Sequence, residues 1–466
     1  MHPFARAYNY VRDKAGKAWK RAISPIYKSV NEPHYTYNKI GKLKVHETKD
    51  IQMMRDVLQD EENFPAPRFV KKTLKKLIGH ALGNDEGASW QKMHDVMMEN
   101  FTPANIRKNV TPLVIEECDA LIDKWEKKGD QLIDIEHEIL EATGSIIIRN
   151  IMGDSLSKED AHTVIDTIRE TFKKLESPTR LGRMLRAIGL PYDHPGFVFG
   201  IALRALGIND EYAANPPKEL GEGAKVADDI LYKAIAERKK LTVQPKDLLG
   251  ILLESTTHEN IPLTDKEIRD QILMMIVAGH ETTAVSLTFA MDEILRKPDI
   301  QAKLREEFNT VAKVDPKNTS DVNKMPYTRN AFKEAIRMHP AIRTTSREAT
   351  QDMTVAGVKI EKNDLVKLNI QGLQMREDLW KDPKNYRPER FEEADVPSKA
   401  YVPFGLGPRM CIGMSMAMNE GVVFLSRIFN RLDLEAKQHL EGEKYFFTMH
   451  PKGNLLVKAK PRPPQP

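Results

Sequence analysis

Three short stretches hold residue types at spacings that do chemistry. The first is Phe404-Gly405-Leu406-Gly407-Pro408-Arg409-Met410-Cys411-Ile412-Gly413, a glycine-flanked loop with one cysteine, leading into a helical pattern from Met414 to about Phe429. A thiolate that holds a metal needs backbone N–H groups aimed at sulfur, and glycines let the chain turn close enough to supply them. Phe404 is placed to cover such a sulfur, and Arg409 to meet an anion beside it. The other cysteine, Cys118, reads as an inert small hydrophobe. The second stretch is Ala278-Gly279-His280-Glu281-Thr282-Thr283, midway along an apolar helical run. Glu281 and Thr282 form an acid–alcohol pair able to bond water and pass protons, and Gly279 leaves room for a ligand. Paired helical threonines more often bond back to a preceding carbonyl, but an acid in so apolar a helix is costly without a purpose. The third is Glu334-Ala335-Ile336-Arg337, an i,i+3 pair that by itself describes many helix surfaces.

The elements that must position these residues are mostly helical. Thr264-Asp265-Lys266-Glu267 resembles a capping box opening a long helix that runs to about Arg296, before Pro298. From 90 to about 315 the pattern is helical, broken at Thr102-Pro103, Gly153-Asp154, Leu190–Pro195, Asn215–Pro217 and Leu263-Thr264. Residues 34–48 read as a hairpin around Lys39–Lys42, and Asp50 caps a short helix to about Gln59. Strand patterns return at 352–360 and 364–370. The expected fold is mainly α with small β-sheets, in a single helix-rich domain over 34–458. A Pro-rich tail at 459–466 is expected to be disordered.

Composition narrows the function classes. The 466 residues carry 71 Lys and Arg against 67 Asp and Glu, which disfavours a nucleic-acid binder. Two cysteines exclude a disulfide framework and a Cys-rich metal site, and suit a reducing compartment. No apolar run reads as long enough to span a bilayer, and no secretory signal is visible, so the expected location is cytoplasmic. Residues 1–33 form a separate basic segment, with seven basic residues against one acid in 1–30. Phe4, Tyr8, Val11, Ala15, Trp19, Ala22 and Ile26 draw one apolar stripe on it, suited to an anionic membrane surface or to docking on its own domain.

The cysteine loop matches every fixed position of F-x-x-G-x-R-x-C-x-G, and so resembles the haem-binding signature of cytochromes P-450. Ala278–Thr283 resembles that family's A-G-x-[DE]-T-[TS] stretch. Glu334 and Arg337 resemble its E-x-x-R pair, completed by Arg390 in Pro388-Glu389-Arg390-Phe391. Trp90 resembles the start of W-x-x-x-R, although position 94 is histidine, and Arg347 resembles a further propionate-binding arginine. The resemblance implies a P-450 fold enclosing haem b between the long helix and the cysteine loop. Cys411 is then the iron ligand, with Phe404 and Gly413 beside it. Trp90, His94, Arg347 and Arg409 hold propionates, Glu281 and Thr282 deliver protons, and Glu334, Arg337 and Arg390 pin the loop.

By family position, a substrate pocket takes in 60–88, part of 170–215, Met274, Met275, Ala278, Ala341 to Thr345 with Ile342 and Arg343, and Phe446 and Phe447. Arg343 either binds a substrate carboxylate or lies on the surface or propionate side. The implied activity is insertion of one atom of O2 into a hydrophobic small molecule such as a fatty acid, terpenoid or steroid. Electrons then come from NAD(P)H through a separate ferredoxin or flavoprotein reductase, docked on a basic rim of Lys92, Arg376, Lys381, Lys384, Lys399 and Arg409. A peroxide-driven hydroxylase or an isomerase is the rival reading, against which the acid–alcohol pair speaks. A haem-based sensor is a more distant one.

Overall fold

The computed structural model describes residues 27–32, 34–40, 43–176, 218–314, 323–394, 396–445 and 448–463. Three antiparallel strands open the described chain: β1 (Tyr27–Glu32), β2 (Tyr35–Ile40) and β3 (Leu43–Thr48). The β2–β3 hairpin is the one expected from the sequence. β1 adds to it, so 27–32 belong to a sheet rather than to the basic N-terminal segment. The apolar-striped residues 4–26 lie outside the described residues.

Helices α1 (Ile51–Gln59), α2 (Arg68–Ile78) and α3 (Gly87–Phe101) follow, and Asp50 caps α1 by accepting from the Met53 N–H. The helical body continues with α4 (Thr111–Lys128), the short β4 (Ile133–Asp134), α5 (Ile135–Met152), α6 (Lys158–Glu176), α7 (Lys218–Arg238) and α8 (Leu248–Glu254). The expected breaks at 190–195 and 215–217 lie outside the described residues. Through the middle runs α9 (Asp265–Leu295), opened by the Thr264–Glu267 capping box with both reciprocal bonds present.

Its length and apolar composition would let α9 cross a membrane, contrary to the sequence expectation, yet two thirds of its most apolar window is buried in the protein. The reason is packing on every side. On α5, Ile147 comes so close that a Cβ on Gly279 would lie 2.7 Å from its side chain. Gly279 therefore serves helix–helix contact as well as lining an internal cavity. The Thr143 hydroxyl of α5 donates to the His280 carbonyl at 2.9 Å, fastening the two helices at that crossing.

Beyond α10 (Pro298–Val314) and α11 (Pro326–Met338) the chain returns to sheet: β5 (Thr344–Glu348), the hairpin β6 (Met353–Val355) and β7 (Val358–Ile360), then β8 (Leu365–Asn369). β8 and β5 complete a five-stranded sheet of order β1-β2-β3-β8-β5. The short α12 (Ile370–Gln374), a meander and the cysteine loop lead to α13 (Met414–Arg431). β9 (Leu432–Gln438), β10 (Gly442–Tyr445), β11 (Met449–Lys452) and β12 (Leu456–Pro461) close the chain. β12 pairs with β9 and β4, so the sheet takes in 459–461, which the sequence assigned to the tail. One apolar core gathers around α9, and a smaller one under the five-stranded sheet around Met53, Val57, Phe64 and Trp380.

Candidate active site

The cysteine loop folds back on itself through its own backbone. The Cys411 N–H donates to the Phe404 carbonyl at 2.9 Å, and the Met410 N–H to that of Gly407 at 3.1 Å. Gly405 and Gly407 have φ of +76° and +75°, where L side chains strain. A Cβ on Gly407 would also meet the Leu58 carbonyl at 2.4 Å, so this glycine lets the loop lie against the end of α1. Gly413 has an ordinary φ of −81°; its N–H and that of Met414 point at the Cys411 sulfur. The cysteine is solvent-accessible, but onto an internal cavity. Enclosure pushes its thiol pKa up, and the two N–H donors draw it partly back. Cys118 is fully buried in the helical core with its thiol pushed up by desolvation, as an inert residue should be.

Behind this loop lies a saturated charge lattice. Arg337 donates to both Glu334 oxygens at 2.8 and 3.0 Å, and Arg390 Nε to Glu334 Oε1 at 2.7 Å. The remaining guanidinium N–H groups reach the carbonyls of Gln374, Pro383, Lys381, Asp382 and Asn385 at 2.6–3.0 Å. Two charges on one helix face are thus the buried centre of a three-residue cluster, not a surface pair. Gln374, which sequence reasoning missed, carries the order onward: its amide donates to the Arg337 carbonyl and accepts from the Val402 N–H, both at 2.9 Å. Val402 is two residues before Phe404.

A cavity of about 670 Å³ separates this loop from α9. Its far wall includes Met274, Met275, Ala278, Glu281, Thr282 and Thr283, and Ala341 and Ile342 close one side. The acid and alcohol of the motif are not bonded to each other. Thr282 Oγ1 donates back to the Ala278 carbonyl at 2.8 Å, which leaves its lone pairs free to accept. Glu281 instead accepts from Thr448, next to β11, at 3.0 Å. His280 bonds the Ile276 carbonyl through Nδ1 at 2.9 Å, and burial holds its pKa down.

The cavity wall also holds a group that the sequence reading passed over. Glu420 of α13 is almost wholly buried, and one of its oxygens, Oε2, has no partner among the described residues. Desolvation raises its pKa to about 8 despite a bond from the neighbouring Thr283. Its signal was an acid amid the apolar run Met414–Phe429.

Trp90, His94, Arg347 and Arg409 all line the same cavity. The Arg409 guanidinium stacks on Trp90 at 4.0 Å, reaches the Asp85 carbonyl at 2.8 Å and pairs with Glu61, a residue the sequence did not single out. It is turned inward, so it does not belong to the basic rim. His94 stacks beside Trp90 at 4.9 Å and stands 3.5 Å from Asp95. Arg347 bonds only Thr345 and Ser346, with no carboxylate on it among the described residues. Burial and then the field of Arg409 lower its pKa. Two guanidiniums within each other's field, with Glu61 paired to one of them, leave a net positive charge on the cavity wall, which suits the propionates of haem. A sulfur facing the cavity with N–H donors behind it suits the iron.

Arg343 does not line the cavity: its guanidinium lies 5.9 Å from the Tyr445 ring, within the field of Glu443. The pocket role assigned to Arg343 by family position is therefore not met, because its neighbours Ile342 and Thr344 face inward instead. Phe446 and Phe447 lie outside the described residues, as do 177–217 of the expected pocket wall. Of the rim lysines, Lys381, Lys384 and Lys399 are exposed and Lys92 is half-buried, whereas Arg376 is held by Asp378 at 2.5 Å.

Comparison with known proteins bears on the fold and the family. The cytochrome P450 family model matches residues 25–192 and 211–461. A cytochrome P450 714B3 of Zea mays is 24% identical over 91% of this chain and 77% of its own length. A cytochrome P450 6B6 of Helicoverpa armigera is 26% identical over 89% and 82%. A bifunctional cytochrome P450/NADPH–P450 reductase of Bacillus subtilis is 27% identical over 80% of this chain, which spans 34% of that longer protein. The crystal structure of the cytochrome P450DA heme domain superposes with a TM-score of 0.73 at 22% identity, covering 92% of this chain and 89% of that one. The chain belongs to the cytochrome P450 family and is a haem-thiolate monooxygenase.

Proposed function

We propose that Cys411 is the axial iron ligand and that Glu281 and Thr282 manage protons on the opposite wall of the cavity. The observation that carries this is the Cys411 sulfur, open to the cavity and backed by the N–H groups of Gly413 and Met414. Bound there, thiolate-ligated haem iron supplies O2 activation and oxygen insertion. Arg347 and Arg409 hold the propionates, with Trp90 under Arg409 and His94 against Trp90. Thr282, its own proton committed to Ala278, accepts a hydrogen bond from a molecule in the cavity, while Glu281 donates a proton. Glu420, with its pKa near 8, is uncharged at neutral pH and adds no second anion to the same wall.

The substrate is a hydrophobic small molecule of the fatty-acid, terpenoid or steroid kind. Leu74, Met274, Met275, Ala278, Ala341 and Ile342 give it apolar walls, and methionine adapts to irregular shapes. Electrons come from NAD(P)H through a ferredoxin or flavoprotein reductase that docks on the cysteine side at Lys381, Lys384 and Lys399. The basic segment 1–30 is the part of the chain with the charge to attract an anionic membrane. The central assignment is tested by the reduced CO complex, whose long-wavelength Soret band comes from thiolate donation. Cys411→His should abolish that band while haem stays bound; a variant that keeps it overturns the assignment.

A further inference from the structure

The carboxylate of Glu281 leads away from the cavity along a row of titratable and hydroxyl groups. Its Oε2 accepts from the Thr448 hydroxyl at 3.0 Å, and Thr448 Oγ1 stands 2.9 Å from His450 Nε2 on β11. An ionised carboxylate only accepts, so the single hydroxyl proton of Thr448 is committed to Glu281. Thr448 then accepts from the ring, which puts a proton on His450 Nε2. His450 Nε2 is also 3.6 Å from Glu281 Oε1, and the other ring nitrogen, Nδ1, is 3.9 Å from Glu136 in the first turn of α5. Beyond Glu281, which opens onto the cavity with its side chain 21% exposed, exposure grows outward: Thr448 is buried, the His450 side chain is 14% exposed and that of Glu136 24%.

We propose that Glu136, His450 and Thr448 form a proton inlet that recharges Glu281 from the surface. This rests on the reading of Glu281 as a proton donor. The step moves one proton and no electrons. The imidazolium releases its Nε2 proton to the Thr448 oxygen as the Thr448 hydroxyl proton passes to Glu281 Oε2; the ring, left with its Nδ1 proton, turns over so that its bare nitrogen takes the next proton from water beside Glu136. Histidine suits this place because its charge changes near neutral pH, where a permanently charged cation would only hold the acid in place. Among the described residues, charged groups placed about the ring include Glu281 with His280 from α9, Glu136 from α5, Lys444 opposite on β10, and Arg169 of α6, whose field reaches His280.

The test needs no identified substrate. NADPH oxidation is driven by a surrogate flavoprotein reductase without added substrate, and peroxide formed per NADPH is measured from pH 6 to 8.5. Two electrons and two protons give peroxide, and four of each give water, so a starved proton supply raises the peroxide fraction. In the wild type that fraction should rise with pH through the histidine range. His450→Gln should hold it high and flat, about twofold or more above wild type at pH 6.5, and Glu136→Gln should fall between. A second readout is the His450 ring titration by NMR in the ferrous–CO holoenzyme. Its midpoint should drop by roughly half a unit or more in Glu281→Gln, which removes the neighbouring anion. Glu136→Gln and this titration keep the inlet testable if His450→Gln does not fold. A Glu281→Gln enzyme that raises peroxide while His450→Gln keeps the wild-type profile overturns the inlet alone. A Glu281→Gln enzyme with the wild-type profile overturns the reading of Glu281, and the inlet with it.

Discussion

Glu334 and Glu420 are both buried acids on helices that flank the cysteine loop, and they are treated in opposite ways. Glu334 is met by two guanidiniums and by the Arg387 backbone N–H. Glu420 has a threonine on it, while its Oε2 has no partner among the described residues. Charges taken from water are tolerated where every lone pair and N–H finds a partner, and otherwise they neutralise. The first arrangement gives a rigid backing for the sulfur. The second leaves a carboxyl group that keeps its proton next to the cavity.

The strongest way to break this contrast is Glu334→Ala. It strands two buried guanidiniums and should remove roughly 3–5 kcal/mol of stability. Because the cluster reaches Val402 through Gln374, the loss should appear first as haem that does not stay bound, read as the haem-to-protein ratio after purification. Full haem content with an unchanged melting temperature would mean that the lattice does not hold the loop.

Glu420→Gln should act in the opposite sense. The folded-state pKa of Glu420 is about 8 against 4.5 for the free group, so the folded chain keeps a proton that the unfolded chain has released. Wild-type stability therefore falls as pH rises from about 4.5, and the loss is complete only above about 8. The ceiling of that penalty is roughly 4–5 kcal/mol at 1.36 kcal/mol per pKa unit. Glutamine carries no charge, so the variant should melt at a higher temperature than wild type at pH 8.5 and at nearly the same one at pH 5. An identical difference at both pH values would show that Glu420 ionises freely in the fold.

How much of this was legible in the sequence follows the same division. The cysteine loop, the long helix with its capping box and the Glu334–Arg337–Arg390 set stand out because fixed residue types at fixed spacings carry them. The Asp50 cap and the 34–48 hairpin were readable from local chemistry. Gln374 and Glu61 were not, since each acts through a partner about 25 to 350 residues away and has no local pattern of its own. Gly279 was read for one of its two neighbours: the motif placed it near a ligand, and only the α5–α9 crossing shows Ile147 against it as well. Thr282 and Glu281 were read as partners because they are adjacent, yet consecutive helical residues point about 100° apart and each found a different acceptor or donor.

A third ionisable group, partly buried, places the boundary between the two treatments, with the smallest expected effect. His339 follows α11, stacks on Phe289 at 4.4 Å and has a carboxylate on each ring nitrogen: Glu443 at 2.5 Å and Glu293 at 3.3 Å. Burial alone would lower its pKa, but the two carboxylates outweigh it and raise the value from 6.5 to about 8. Like Glu420, His339 holds a proton in the fold that the unfolded chain loses, so its contribution also fades as pH rises. The origin differs: here the charged form is the favoured one, and the stabilisation is fully present below about pH 6.5 and gone once pH passes 8. A shift of that size is worth roughly 2 kcal/mol at most. His339→Gln should therefore lower the melting temperature by a few degrees at pH 6 and by little at pH 9, whereas Glu420→Gln raises it at high pH. If His339→Gln lowered stability equally at pH 6 and pH 9, the ring would contribute through its stacking on Phe289 alone, and the two carboxylates would be spectators.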